Sequence, residues 1–168
     1  MIHLGRHSYN YGVQRGTCNN VYIGAFSSIA EGVRFDGGFV HPPDFVSTYP
    51  FKNIWSELEV EGNPRCNGDI HIGNDVTIGE GAIIMSGISI GDGAVIGANT
   101  IVNNHVEPFS VMVGAPMRFI RYRYSNINLV APMLKIKWWE WSDEKIRENA
   151  YLLNSKNIAD FIFKHYTP

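Results

Sequence analysis

Residues 72–102 read IGNDVTIGEGAIIMSGISIGDGAVIGANTIV. Ile72, Ile78, Ile84, Ile90, Ile96 and Val102 recur at a spacing of six, and glycine follows four of them (Gly73, Gly79, Gly91, Gly97). An α-helix repeats at about 3.6 residues and a half-buried strand at two, so neither accounts for the pattern. A period of six is that of a parallel β-helix, in which each hexapeptide supplies one short strand and one turn. The residues four after each anchor are Val76, Ala82, Ile88, Ala94, Thr100 and Val106, all small or β-branched and suited to a pleated surface. One hexapeptide buries too little surface to stand alone and must stack on its neighbours. With three hexapeptides to a coil, Ile72 is expected on Ile90, Ile78 on Ile96, and Ile84 on Val102. Met85 stands where the pattern calls for glycine. The alternative, a β-sandwich, needs turns every ~8–12 residues, and no such gaps occur between about residues 66 and 107.

An earlier block has the same period in another phase: Tyr11, Thr17, Ile23, Ile29 and Phe35 are spaced by six, with Gly24 after Ile23. The step from Phe35 to Ile72 is not a multiple of six, so a loop is expected to interrupt the coil between about residues 36 and 65. Loops of that length inside a compact domain are usually functional. After Val106 the period ends, and EPFSVMVGAPMRFIRYRY (107–124) is expected to close the β-helix. Ile127, Val130, Ala131 and Leu134 follow helical spacing, with Pro132 in a first turn. Ser142 precedes DEKIRENAYLL, an N-cap followed by two acids, and Asn157 opens a further turn reaching Phe163. These helices are expected to cover an open end of the β-helix. The division is thus 1–124, a β-helix with an insertion at about 36–65, and 125–168, a helical cap.

A length of 168 residues fits one domain with a small appendage. The net charge of −2 gives no reason to expect nucleic acid or a membrane surface as partner. Cys18 and Cys66 show no C-x-x-C spacing, which fits a reducing compartment and a cytoplasmic location. The N-terminal MIHLGR has no long apolar run, so neither a signal peptide nor a membrane span is expected.

Among the six histidines, His41 lies in the interrupting loop with Asp44 three residues on. An imidazole of ordinary pKa about 6.5 accepts a proton near neutrality, as acyl transfer to a hydroxyl or amine requires; a solvated surface histidine is the plainer reading. Gly114-Ala115-Pro116-Met117-Arg118, followed by Arg121 and Arg123, offers backbone amides and guanidinium groups suited to a phosphate, or else a turn with a solvated basic edge. Trp138, Trp139 and Trp141 read as core packing or subunit contact rather than a ligand stack. No H-x-x-x-H or H-E-x-x-H occurs, and no metal is expected.

The 72–102 stretch resembles the hexapeptide-repeat acyltransferases. HPPDFVSTYPF (41–51), IKWWEW (136–141), Ser8-Tyr9 and FSSIAEGV (26–33) narrow the resemblance to the xenobiotic acetyltransferases, the branch of chloramphenicol and streptogramin acetyltransferases; it covers about residues 4–146. The resemblance implies a left-handed parallel β-helix, a homotrimer with active sites between subunits, and acetyl-CoA lying along the coils. His41 falls on the family's catalytic histidine. Gly79, Ala98, Ala115, Pro116, Arg118 and Arg121 fall where related enzymes contact CoA, and Tyr9, Tyr11 and Asp44 near the acceptor. The expected reaction is direct transfer of acetyl from acetyl-CoA to a hydroxyl of a saccharide or other small acceptor. His41 is then the general base, a carbonyl or Asp44 orients it, and a backbone N–H serves the oxyanion. Transfer to an amino sugar or an antibiotic is the nearest alternative. A metal-dependent lyase like the γ-type carbonic anhydrases, or a non-catalytic β-helix scaffold, are the alternatives of another class.

Overall fold

The computed structural model describes residues 1–15, 19–37, 41, 43–60 and 66–167. Its short strands form three faces of a prism. The first face stacks β1 (Ile2–Leu4), β4 (Val21–Ile23), β7 (Ile70–Ile72) and β10 (Ser89–Ile90). The second stacks β2 (Tyr9–Asn10), β5 (Ser28–Ile29), β8 (Thr77–Ile78), β11 (Val95–Ile96), β13 (Ser110–Val113) and β14 (Arg118–Tyr122). The third stacks β3 (Val13–Arg15), β6 (Arg34–Asp36), β9 (Ile83–Ile84) and β12 (Ile101–Val102). All pairs are parallel except the closing β13–β14 hairpin.

The anchors stack as their spacing requires: Ile72 pairs with Ile90, Ile78 with Ile96, and Ile84 with Val102. Their side chains fill the prism, and the second register (Val76, Ala82, Ile88, Ala94, Thr100, Val106) is buried at its corners. The glycines that follow the anchors lie where coils nearly touch. A methyl group on Gly79 would meet the Ala98 amide nitrogen at 2.6 Å, and one on Gly24 the Gly73 carbonyl at 2.6 Å. Met85 is accommodated by packing its side chain, partly buried, against the same core.

The earlier block joins this core without a break in space. Ile23 pairs with Ile72, Ile29 with Ile78, and Phe35 with Ile84, so the insertion leaves and rejoins the ladder without disturbing its register. The expected anchor Tyr11 does not hold: its side chain is 66% exposed. The first coil is longer than three hexapeptides, by one residue on the second face, where Asn10 faces Ile29, and by three on the third, where Gln14 faces Phe35. This coil has a neighbour on one side only, and polar side chains there meet solvent and local backbone. The Gly12 amide donates to Asn10 Oδ1 at 2.9 Å, and Gln14 Nε2 donates to the Asn19 carbonyl at 2.6 Å. A polar terminal repeat of this kind caps a solenoid. Thr17 and Cys18 lie outside the described residues.

Beyond the hairpin come a 3-10 turn (Ile127–Leu129), α2 (Val130–Ile136), a second 3-10 turn (Trp138–Glu140), α3 (Asp143–Leu153) and α4 (Ile158–His165); α1 (Phe51–Ile54) lies within the insertion. Ser142 caps α3, its Oγ accepting from the Lys145 amide at 3.3 Å. These helices do not lie across an open end. They run along the edge between the first and second faces and touch successive coils. Arg6 donates to Asp143 at 2.8 Å and to the carbonyls of Trp139 and Trp141. Phe26 packs on Trp138, and Phe109 on Tyr124 and Trp139. Arg123 donates to Asp75 Oδ2 at 2.8 Å and to the Gly93 carbonyl at 3.0 Å. A left-handed residue recurs at this edge in each coil, at His7, Phe26, Asp75, Gly93 and Phe109; at Phe26 and Phe109 it presents an aromatic ring that packs on the tryptophans and gives the helices an apolar strip to cover. Trp139 is buried and Trp138 and Trp141 pack against the same cluster, so the tryptophan tail is core. Among the described residues no helix is long and apolar enough to cross a membrane.

Ile78 sits mid-column between Ile29 and Ile96 with 1% exposure. Ile78→Ala is expected to lower unfolding free energy by about 2–5 kcal/mol, read as a shifted midpoint in denaturant with an unchanged slope.

Candidate active site

Two groups of residues emerge, one along an edge of the prism and one on the insertion. The first lies on the edge between the second and third faces. Tyr9 is in β2 and Tyr11 follows it; Gly79 follows β8; Ala98 follows β11; Ala115 and Pro116 form the tip between β13 and β14; and Arg118 opens β14 opposite Val113. Backbone hydrogen bonds tie these turns together: Gly81 N to Glu31 O at 3.2 Å, Asn99 N to Glu80 O at 2.8 Å, and Ile101 N to Gly114 O at 3.1 Å. The expected CoA contacts, scattered through the sequence, thus form a track along one edge, with Tyr9 and Tyr11 at its first-coil end. Small side chains keep the track shallow, because Gly79 and Ala98 stack too closely for anything larger between them. Such a surface can receive a thin, extended arm with amide groups, with arginine at the far end for phosphate.

Arg118 and Arg121 are exposed. Arg121 lies on the second face, paired with Val111, and its guanidinium donates to the Tyr122 and Arg123 carbonyls at 2.9 and 3.1 Å. Arg123 serves another purpose: its ion pair with Asp75 holds the helices to the prism. Burial raises the Asp75 pKa above the ordinary carboxylate value, with Arg123 opposing that shift. Burial likewise pushes the Tyr124 phenol up to about 12.

The second group is on the insertion, which leaves the prism between the third and first faces. His41 is exposed, and its Nδ1 lies 2.8 Å from the Thr48 carbonyl. A carbonyl oxygen only accepts, so Nδ1 carries the proton and the Nε2 lone pair is left available. Of the two expected orienting groups, the carbonyl is the one hydrogen-bonded to the ring. Thr48 is itself held by its neighbours. The Tyr49 amide donates to Ser47 Oγ at 3.2 Å, the rings of Tyr49 and Phe51 lie 5.0 Å apart, and Phe51 stacks on Trp55 at 5.7 Å. That aromatic brace went unread in the sequence; its signal is the Phe51–Trp55 spacing of one helical turn. Asp44 is exposed, and Val40 and Pro42 lie outside the described residues. Within one chain, the insertion that carries His41 leaves the prism at a different edge from the track.

The other histidines have structural settings. His3, Tyr22 and His71 form a stacked column on the first face, with centroids 4.8 and 5.1 Å apart. His105 Nδ1 accepts from the Ser89 amide at 3.0 Å. Among the described residues, no three His, Cys, Asp or Glu are grouped so as to hold a metal ion.

Residues 69–104 match the family model for the bacterial transferase hexapeptide (six repeats). A probable macrolide acetyltransferase of Lysinibacillus sphaericus is 40% identical over 155 residues, 89% of this chain and 85% of the relative. A chloramphenicol acetyltransferase of Escherichia coli is 36% identical, covering 94% of this chain and 84% of the relative. A galactoside acetyltransferase solved in complex with coenzyme A superposes with a TM-score of 0.54 at 30% identity, covering 84% of this chain and 60% of that one. The chain therefore belongs to the hexapeptide-repeat acetyltransferases, whose repeat and solved neighbours imply a left-handed winding of the β-helix. It is an acetyl-CoA-dependent acetyltransferase, similar to the xenobiotic branch.

The hydrogen bond from Nδ1 to Thr48 has a direct spectroscopic consequence. Above the imidazole pKa, nitrogen-15 NMR of the labelled protein is expected to show His41 protonated at Nδ1 and bare at Nε2, the reverse of the tautomer that predominates in free histidine. Finding the proton on Nε2 would remove the basis for a base at that nitrogen.

Proposed function

We propose that the enzyme transfers acetyl from acetyl-CoA to a hydroxyl of a saccharide or similar small hydroxylated acceptor, in a ternary complex with His41 as general base. The observation that carries this reading is the Thr48 carbonyl on Nδ1, which leaves Nε2 as the proton acceptor. Nε2 takes the hydroxyl proton as that oxygen attacks the thioester carbonyl. The tetrahedral oxyanion is met by a backbone N–H, the C–S bond breaks, and the imidazolium returns its proton to the departing thiolate. A positioned base of this kind typically contributes about 10²–10⁴-fold in rate. Gly79, Ala98, Ala115, Pro116 and Arg118 hold CoA along the edge, with Arg121 on the adjoining second face; Tyr9, Tyr11 and Asp44 face the acceptor. The prism (1–124) with its insertion (about 36–65) is the catalytic unit, and 125–168 serves as a brace.

The departure of the insertion from a different edge than the one carrying the track supports a homotrimer in which the insertion of one copy meets the edge of the next. The saccharide acceptor is supported by the likeness to a galactoside acetyltransferase. A second reading, an antibiotic hydroxyl, is favoured by the names of the macrolide and chloramphenicol relatives. Supplying acetyl-CoA with each acceptor class and following free thiol separates the two.

His41→Ala is expected to cut turnover by about 10²–10⁴-fold while acetyl-CoA still binds; near-normal turnover would rule out the base. The shared site has its own test. Ala98→Trp blocks the track, and His41→Ala removes the base. Mixed oligomers of the two inactive variants are expected to recover activity, because some interfaces pair an intact track with an intact histidine. No recovery despite verified subunit exchange would place both groups in one chain's own site.

A further inference from the structure

Arg34 stands apart from the chemistry described so far. It opens β6 in the second coil, at the edge that carries the track. In the outward row of the third face it lies between Val13 below and Ile83 above, with Ile101 above that. Its amide donates to the Ala82 carbonyl at 2.8 Å, at the end of the turn that begins with Gly79, and the Val13 amide donates to Val33, the residue before it. Arg34 thus sits where the CoA track meets the coil of Tyr9 and Tyr11.

Among the described residues, Arg34 makes no ion pair, although Arg6, Arg123 and Arg147 all do. Its Nε is buried and has no hydrogen-bond partner. The neighbours in its row are aliphatic, and the residue is only partly exposed. A guanidinium nitrogen shielded from water and left without an acceptor is costly to the fold, and an anion arriving from outside would offset that cost. Its planar fork fits a carboxylate or a phosphate, two parallel hydrogen bonds at a time.

We infer that Arg34 anchors an anionic group, carboxylate or phosphate, carried by the acceptor near the hydroxyl that receives the acetyl group. The preferred acceptor is then an acidic sugar or a sugar phosphate rather than a neutral one. This rests on the transfer reading above for the location of the acceptor, and it makes Arg34 a determinant of specificity that leaves the proton transfer to His41.

The test uses the full chain with three matched probes: methyl galactoside, methyl galacturonide and methyl galactoside 6-phosphate. Binding in the presence of CoA is measured by calorimetry, and turnover with acetyl-CoA by thiol release. One or both anionic probes should bind tighter than the neutral one by on the order of tenfold or more. Which of them does so separates carboxylate from phosphate. Arg34→Gln should abolish the preference, mainly through KM, and Arg34→Lys should keep part of it; acetyl-CoA affinity should not change in either. Equal binding of charged and neutral probes, binding of none, or a preference that survives Arg34→Gln overturns the anchor. So does a changed oligomer mass in Arg34→Gln, which would assign the residue to a contact between copies. Charge-selective, Arg34-dependent binding without thiol release would instead keep the anchor and sink the transfer reading.

Discussion

The closeness of one coil to the next governs this structure. Parallel strands stack at about 4.8 Å, and at the corners the backbones come nearer than a side chain allows. Gly24 under Gly73 and Gly79 under Ala98 leave no room even for a methyl group. Everything regular about the molecule follows from that contact. The aliphatic anchors point inward, and the residues that follow them must be small wherever coils touch. The outward rows are left free to differ from coil to coil. The edge of tight turns becomes a smooth track because the fold requires small residues there, before any ligand is considered.

The same constraint separates stability from chemistry. Residues that hold the prism repeat, and the proposed base, His41, does not. Arg123 and Arg121 lie two positions apart, yet one is committed to Asp75 and the helices while the other stays exposed on the second face. His41 stands outside the repeat on a loop whose geometry is set by a carbonyl and a short aromatic stack. The helical segment serves stability in another way, clamping successive coils along an edge through Arg6, Phe26, Asp75 and Phe109.

Much of this was legible in the sequence, for a physical reason: a hexapeptide fold writes its contacts at a fixed interval. The pairing of Ile72 with Ile90 and of Ile84 with Val102 follows from counting alone. Where the count slips, reading fails. Tyr11 was in phase by number, but the extra residue in the first coil gives its slot to Asn10. The helices were expected over an end because ends are what regular solenoids usually need covered. Their true position follows the aromatic rings of Phe26 and Phe109, at two turns of one edge, whose outward placement has no sequence signature. The orienting group of His41 was narrowed to two candidates and no further, because a backbone carbonyl has no signature in a sequence. Arg34 drew no notice, since an unpaired charge is recognisable only once its neighbours are known.

The insertion departs from one rung and returns to the next with the ladder in register, Ile23 on Ile72 and Phe35 on Ile84. Its ends are therefore fixed by the prism and not by its own contents. Closing a longer loop between the same two points costs only a slowly growing entropy, about 0.6 kcal/mol for each doubling of length. Evolution can thus rewrite this segment, in length and in side chains, without retuning a single buried contact. A scaffold that forbids variation almost everywhere gathers its freedom in the segment that carries His41, and exchanging that segment whole leaves the prism's register intact.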